Sequence, residues 1–284
     1  MTLYHYCSNA ALLSIAQHKQ IWLSELSLSN DTTEGRWLRQ VFQDCCAERK
    51  VPRGQQDTLL AELDLVIELC SAAGFCMSEE GDLLSQWRAY ADNGGGVAIG
   101  LDESFLYALG HVASEQHDQS ALGLKQVEYD EERQKKSIND NLDDILKLVD
   151  QGALSFPELM IGISQEEIKR RRNLRQELGM QFLMYLPDLF AFKNPAFREE
   201  REWRMISHLF KTALSKGLQN MLFRAKDDRV VPYLTIDLAA LADPAIKEVI
   251  IGPRNITPTP VIERMLRALG WENVSVRRST ATYR

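Results

Sequence analysis

The order of the apolar patterns along the chain is the feature that most restricts its fold. Short apolar runs of strand length lie near both ends of the sequence, and a long block dominated by helix-like pattern, 103–192, separates them. This order favours an α+β fold in which the C-terminal strands complete a sheet begun by the N-terminal ones. We therefore predict a single domain over residues 1–284, with a mixed or antiparallel central sheet and with 103–192 as a helical insertion or lid.

Hydrophobic periodicity and turn residues indicate the individual elements. Strands are predicted at 3–7, 21–24, 74–78, 97–101, 200–207, 230–238, 247–252 and 274–276. Helices are predicted after Ser8, near 35–49, at 59–70, at 82–90 and from Thr259–Pro260 onward. Pro232 indicates that 230–238 is an edge strand, because proline donates no backbone hydrogen bond.

Composition excludes several classes of protein. No run of 18 or more apolar residues occurs and the N-terminus lacks the order of a signal peptide, so neither a membrane span nor secretion is expected. A net charge of −7 argues weakly against nonspecific binding to long nucleic acid. The five cysteines contain no CxxC pair, which favours reduced thiols in a cytoplasm and gives no zinc motif.

The densest polar stretch is the segment from Arg198 to Arg204. Side chains alternate along a strand, so Glu200, Glu202 and Arg204 are predicted to share one face, spaced by about 7 Å. Trp203 then points to the core. Three charged groups on one face can bind a polar ligand, and the alternative is an exposed sheet face with a salt bridge.

Weaker candidates each have a structural alternative. Trp87 and Tyr90 meet on one helix face, as core packing or as a stacking platform. The residues Asn30-Asp31 and Glu34 form either a ligand loop or a helix cap.

Two further segments are equally open. The basic run 169–175 is either a solvated helix face or a patch for an anionic ligand. The glycines at 94–96 form a tight turn or leave room for a ligand. Motifs of the GxSxG, DxD, HExxH and GxGxxG types do not occur, so the enzymes that use them have no positive evidence here.

As a set, these motifs resemble a widespread prokaryotic family of uncharacterised function. The match spans nearly the whole chain and departs from the usual pattern at Cys7 and Met77. The matching residues are Tyr4-His5-Tyr6, Ser27, Asn30-Asp31, Glu34, Phe75-Cys76-Met77-Ser78, Trp87, Tyr90-Ala91, 96–100, Glu200, Glu202-Trp203-Arg204, 249–252 and Tyr283-Arg284.

A more distant resemblance is to the ADP-ribosyltransferases. The first strand with a histidine, the small residues after it, the helix and the second strand look like the first block of that fold. In that family a first-strand histidine or arginine binds an adenosine ribose of NAD, and a late-strand glutamate holds the nicotinamide ribose. The resemblance implies these roles for His5 and Glu202, with Glu200 as a companion and Glu248 as a rival glutamate.

The same resemblance implies further residues that bind NAD. The middle motif of the family has no clear match, and Ser24 and Tyr90 are its candidates. Arg88 or Arg204 would bind the pyrophosphate. The implied set that binds NAD is His5, Cys7, Ser8, Ser24, Arg88, Tyr90 and Arg204.

The function implied is that of an NAD-using toxin or antiphage effector. NAD would be a substrate, ADP-ribose would pass to a protein or nucleic acid, and a cognate antitoxin or regulator would be a further partner. The alternatives are a nucleotide-sensing or partner-binding module without transfer, and an NAD glycohydrolase. The transferase requires that His5 and Glu202 face one cleft.

Overall fold

The computed structural model describes residues 1–28, 35–116, 122–155, 162, 164–211, 220–226 and 228–282, and leaves aside the side chains of 113–116. The Asn30-Asp31 pair, Glu34 and Tyr283-Arg284 lie outside the described residues.

Ten strands of the described chain form one sheet. Their order is β10-β9-β4-β1-β3-β2-β8-β7, and β6 pairs with both β3 and β5. The strands are β1 (Thr2–Cys7), β2 (Gln20–Glu25), β3 (Cys70–Ser78), β4 (Val97–Asp102), β5 (Leu122–Gln126), β6 (Glu202–Phe210), β7 (Leu222–Lys226), β8 (Arg229–Asp237), β9 (Ile246–Ile251) and β10 (Ser275–Arg278).

Helices cover both faces of this sheet. They are α1 (Asn9–His18), α2 (Trp37–Glu48), α3 (Arg53–Leu69), α4 (Leu84–Tyr90), α5 (Glu103–Gln116), α6 (Glu131–Asp150), α7 (Gln165–Leu183), α8 (Leu186–Leu189) and α9 (Thr259–Ala268). Short 3₁₀ turns lie at Leu26–Leu28, Asp92–Gly94, Pro195–Glu200 and Leu238–Ala240.

The prediction of an α+β fold with a mostly antiparallel central sheet is confirmed. All described strand pairs are antiparallel except β9 and β10, which run parallel. β3 and β4 are nearly continuous apolar runs because they lie in the middle of the sheet with both faces covered.

Two main apolar cores lie on opposite faces of the sheet. Helices α1, α5 and α9 pack on one face, where Phe75 and Met205 point. Helices α2, α3, α6 and α7 pack on the other face, where Ala72 and Ile206 point. A smaller cluster around Tyr6 and Trp87 places α4 against the second face beside β1 and β4. The sheet is thus buried on both sides over most of its length.

The block 103–192 is not uniformly helical. It contains β5, which pairs with β6 inside the central sheet. Its helices also separate, because α5 belongs to the first core while α6 and α7 belong to the second. The helical periodicity of apolar residues in this block hid β5, because a strand of five residues is too short to show a clear alternation of its own.

Two local predictions are wrong. Glu200 does not lie on β6, because it ends a 3₁₀ turn and Arg201 then adopts a left-handed conformation with φ 42°. Pro232 does not mark an edge, because β8 lies between β2 and β7. The pairing of β2 with β8 stops at Tyr233, so Pro232 faces a neighbour only in β7, at Phe223.

The glycine loop at 94–96 is a close-packed turn. A Cβ at Gly96 would lie 2.1 Å from the carbonyl oxygen of Cys7, so only glycine fits against the end of β1. This contact favours the interpretation of a tight turn.

Candidate functional site

β1 and β2 both leave β3 near Cys76, and this divergence creates the candidate site. β2 pairs with β3 as far as Ser24 and Gly74, whereas β1 pairs with it only through Tyr4 and Ser78. The ladder on that edge of β3 is therefore interrupted at 75–77. We call this gap, with Cys76 at its centre between Gly74 and Ser78, the Cys76 seam.

His5 fills one side of the Cys76 seam. Its Nδ1 lies 2.8 Å from the carbonyl oxygen of Cys76, and because a carbonyl only accepts, Nδ1 carries the proton. The ring stacks on Phe75 with centroids 4.0 Å apart. Burial lowers the pKa of His5 to about 4, although its bond to Cys76 acts in the opposite direction. The imidazole is therefore neutral at pH 7 and acts as a packed hydrogen-bond donor.

A buried cluster of four charged side chains, which we call the ion cluster, lies beside the seam. Lys193 donates to Glu200 at 2.6 Å and to Glu202 at 3.0 Å. Arg204 donates to both carboxylate oxygens of Glu202, at 2.8 and 2.9 Å. The two positive and two negative charges balance, which makes such deep burial possible.

The ion cluster keeps Glu202 ionised. Burial alone would raise its pKa, but Arg204, Lys193 and the nearby thiol of Cys76 lower it to about 2. Burial opposes the charge of Lys193 as well, yet Glu202 and Glu200 raise its pKa. Both partners therefore stay charged across the physiological range of pH.

Two tyrosines border the ion cluster. The hydroxyl of Tyr90 points to Glu200 at 3.4 Å, and the residue as a whole is 40% exposed. Burial and then Glu200 raise the pKa of Tyr90. On the other side the hydroxyl of Tyr129 accepts the backbone N–H of Glu202, and burial followed by Glu202 raises its pKa. Both phenols are neutral donors at pH 7.

His5 and Glu202 lie on opposite faces of the sheet. Tyr4 is paired with Ser78, and Ser78 is paired with Glu202, so these three side chains share one face. His5 follows Tyr4 and points to the other face, as its stacking on Phe75 shows. The two residues approach Cys76 from opposite sides, His5 through the carbonyl and Glu202 through the thiol. They do not face one cleft.

The structure brings six of the predicted site residues to the neighbourhood of Cys76 and leaves three elsewhere. Those near Cys76 are His5, Ser24, Tyr90, Glu200, Glu202 and Arg204. Cys7 is buried in the first core, and burial raises its pKa to about 12. Ser8 caps α1 by accepting the N–H of Ala11. Arg88 is exposed on α4.

The rival glutamate and the basic run lie apart from the seam. Glu248 is on β9, with β4 and β1 between it and β3, and it accepts from Tyr4 and Arg277. On α7, Arg170 and Arg171 both pair with Glu167. These pairs favour the solvated helix face for the basic run.

Sequence reasoning missed Lys193 and Arg224. Lys193 precedes a 3₁₀ turn and carries no motif, although a lysine after a run of apolar residues was a usable signal. Arg224 reaches across from β7 to donate to the hydroxyl of Ser24 at 2.8 Å. Only the pairing of β7 with β8, and of β8 with β2, brings it there.

A pocket of about 400 Å³ opens next to Tyr129. Its lining mixes three acidic and three basic side chains, the latter Arg133, Arg198 and Arg201. Two of the lining residues, Arg133 and Glu128, form an ion pair at 3.6 Å. The pocket suits a polar ligand that carries both donors and acceptors.

Two negative findings apply to the described part of the chain. No helix there is both long enough and apolar enough to cross a bilayer. Within the same residues, no group of three His, Cys, Asp or Glu side chains is placed to hold a metal ion.

Comparison with known proteins finds a similarity to a family of uncharacterised function. Residues 86–205 match the model of a family described as "Protein of unknown function (DUF2971)". The matched segment, less than half of the chain, contains Tyr90 and the whole ion cluster, but not His5 or Ser24. No curated protein and no solved structure matches the chain significantly.

Proposed function

We propose that the protein is a nucleotide-binding module that takes NAD, or a dinucleotide like it, at the Cys76 seam. The observation that carries this proposal is the gathering of five predicted residues near Cys76, namely Ser24, Tyr90, Glu200, Glu202 and Arg204. A dinucleotide offers ribose hydroxyls to ionised carboxylates and phosphates to guanidinium groups, and both kinds of partner occur here. The NAD-binding role of each residue stays a prediction.

The accessible part of the site is its rim. Tyr90 is exposed and Cys76 partly exposed, whereas Glu202 and Arg204 are buried. A ligand would therefore first contact the Tyr90 hydroxyl and the outer edge of Glu200. A ligand bound on the face of the sheet that carries Glu202 would not contact His5, because the ring of His5 points to the other face.

Calorimetric titration with NAD tests this proposal. Tyr90→Phe removes one hydroxyl at the rim and should weaken binding by about threefold to tenfold, the value of one hydrogen bond. Tyr107→Phe is the matched control, because Tyr107 is similarly exposed but lies on α5 against the other core. Absence of NAD binding to the wild-type protein would refute the proposal, and equal losses in both variants would place the ligand elsewhere.

The transferase predicted with His5 and Glu202 in one cleft is not supported, because the two side chains lie on opposite faces of the sheet. Transfer of ADP-ribose that uses Glu202 without His5 is the second candidate, and the paired, ionised carboxylate of Glu202 is the observation that favours it. In that reaction the bond from ribose C1′ to the nicotinamide nitrogen breaks, its electron pair leaves with neutral nicotinamide, and a nucleophile of a protein or nucleic acid attacks C1′ and loses a proton. A carboxylate stabilises the positive charge at C1′. Glycohydrolase activity is the same step with water as the nucleophile.

Release of nicotinamide separates the two candidates. If the protein is a toxin or antiphage effector of this kind, wild type frees nicotinamide from NAD in the presence of an acceptor, and Glu202→Gln does not. Glu199→Gln, at an exposed neighbouring position, should behave as wild type. Binding of NAD without release supports the binding module, and equal release by wild type and Glu202→Gln excludes Glu202 as the key glutamate.

A further inference from the structure

Arg224 is a cation in an unusual position. Its guanidinium lies over the ring of Trp22, 5.3 Å from the centroid, and Trp22 stacks in turn on Tyr233 with centroids 4.5 Å apart. The Nη2 group of Arg224 donates a hydrogen bond to the hydroxyl of Ser24. Arg224 Nε is buried and has no hydrogen-bond partner. The charged group is thus partly removed from water and incompletely satisfied.

No carboxylate of the described residues lies within ion-pairing distance of Arg224. Arg204 shows the contrast, since it is more deeply buried but is compensated by both oxygens of Glu202. A desolvated cation without a counter-charge raises the free energy of the folded state. Burial accordingly lowers the pKa of Arg224, an effect that Tyr233 partly offsets. An anion bound at this position would remove that cost.

The position of Arg224 connects it to the Cys76 seam. Its partner Ser24 is paired with Gly74, two residues before Cys76 on β3. Its charge also contributes to the lowered pKa of His5, which shows that it lies near the seam. Arg88 and Arg204 were the arginines predicted to bind a pyrophosphate, but Arg204 is occupied by Glu202 and Arg88 is exposed on α4.

We infer that Arg224, with Ser24 and the face of Trp22, forms a subsite for a phosphate group. This inference rests on the proposed function, of which it names the phosphate-binding end. The guanidinium edge binds phosphate oxygens in two-pronged geometry, and Ser24 keeps that edge in place. The Trp22 and Tyr233 pair offers an aromatic surface beside the phosphate, where a ribose or base can pack.

Inorganic pyrophosphate is the direct probe of this subsite, with ADP-ribose as the second arm. Trp22 contacts the guanidinium, so binding should change the tryptophan fluorescence, and Trp22→Phe should remove that change. Arg224→Gln should weaken both ligands by at least about tenfold, as expected for a charged hydrogen bond. Arg224→Lys keeps the charge but loses the planar edge, so it should fall between Arg224→Gln and wild type.

Arg229→Gln is the matched control, because Arg229 lies on the adjacent strand, is exposed, and carries the same charge. Its affinities should equal those of wild type. Unchanged pyrophosphate affinity in Arg224→Gln, or no pyrophosphate binding by folded wild type, would overturn the subsite. If Arg224→Gln does not fold, wild-type affinity of Arg224→Lys for pyrophosphate would likewise overturn the subsite.

Comparing the binding of pyrophosphate, ADP-ribose and NAD distinguishes failure of the phosphate subsite from failure of the proposed function. Pyrophosphate binding that depends on Arg224, without any binding of NAD or ADP-ribose, supports a subsite for free phosphate and refutes the nucleotide module. Binding of NAD that is equally strong in Arg224→Gln and wild type supports the module and overturns the subsite.

Discussion

At the scale of single residues, Glu202 illustrates how neighbours determine chemistry. Its carboxylate is ionised because Arg204 and Lys193 surround it, and those cations are buried because Glu202 neutralises them. Glu202→Gln keeps the shape but leaves two buried cations with Glu200 alone. We expect the free energy of unfolding to fall by about 3 kcal/mol, measured by urea denaturation. Glu199→Gln should change it by less than about 0.5 kcal/mol, and equal stabilities of the two variants would contradict a buried ion network.

His5 makes the stability depend on pH. Its pKa is about 4 when folded and about 6.5 when exposed, so between these values the unfolded chain binds the extra proton. The contribution of His5 to the free energy of unfolding is therefore complete well above pH 6.5 and decreases as the pH falls towards 4. Between pH 7 and pH 5 the loss through His5 is about 2 kcal/mol.

The corresponding measurement is urea unfolding of wild type and His5→Gln at pH 7 and pH 5. The variant should show a smaller loss on acidification. Part of the loss should remain, because burial also lowers the pKa of His208 to about 4. A pH dependence identical to that of wild type would mean that His5 is not buried as a neutral ring.

At the scale of elements, α1 shows a predicted site residue with a structural role. Ser8 has extended backbone angles, and its hydroxyl accepts the N–H of Ala11, which satisfies one free donor of the first turn. Ser8→Ala should lower the free energy of unfolding by about 1 kcal/mol, and Ser8→Asp should restore it. Ser14→Ala, inside the same helix, should be neutral or slightly stabilising. Neither Ser8 variant should alter NAD binding, and a selective loss of binding in Ser8→Ala would return Ser8 to the site.

β6 shows how far an element can be predicted from the sequence. The alternation of Glu202, Trp203 and Arg204 across the two faces is confirmed, because period two is a local property of any strand. The place where the strand begins is not local. The left-handed conformation of Arg201 moves Glu200 off the strand, and the Lys193 contact then brings its carboxylate back beside Glu202.

At the scale of the whole molecule, burial divides the five cysteines into two classes. Cys7, Cys45, Cys46 and Cys70 are buried, and burial raises the pKa of each thiol; only Cys76 is partly exposed. Thiolates are the reactive form, so native protein should react with one equivalent of a disulfide reagent and denatured protein with five.

Cys76→Ser is the control for this experiment and should abolish the native reaction. Saturating NAD should slow the reaction of wild type, because the proposed ligand covers the Cys76 seam. More than one fast thiol in the native protein would contradict the packing of the two cores.

The sequence alone determined the class of fold, most strands and helices, and the apolar faces that bury them. These depend on periodicity and on caps, which are local properties of consecutive residues. It also determined that Glu202 and Arg204 share a face. It could not determine which residues distant in sequence meet, because that depends on strand order and on where strands diverge. Only the tertiary structure placed His5 and Glu202 on opposite faces of the sheet. It also brought Lys193 into the ion cluster, and Arg224 into contact with Ser24, from which it is 200 positions away in the sequence.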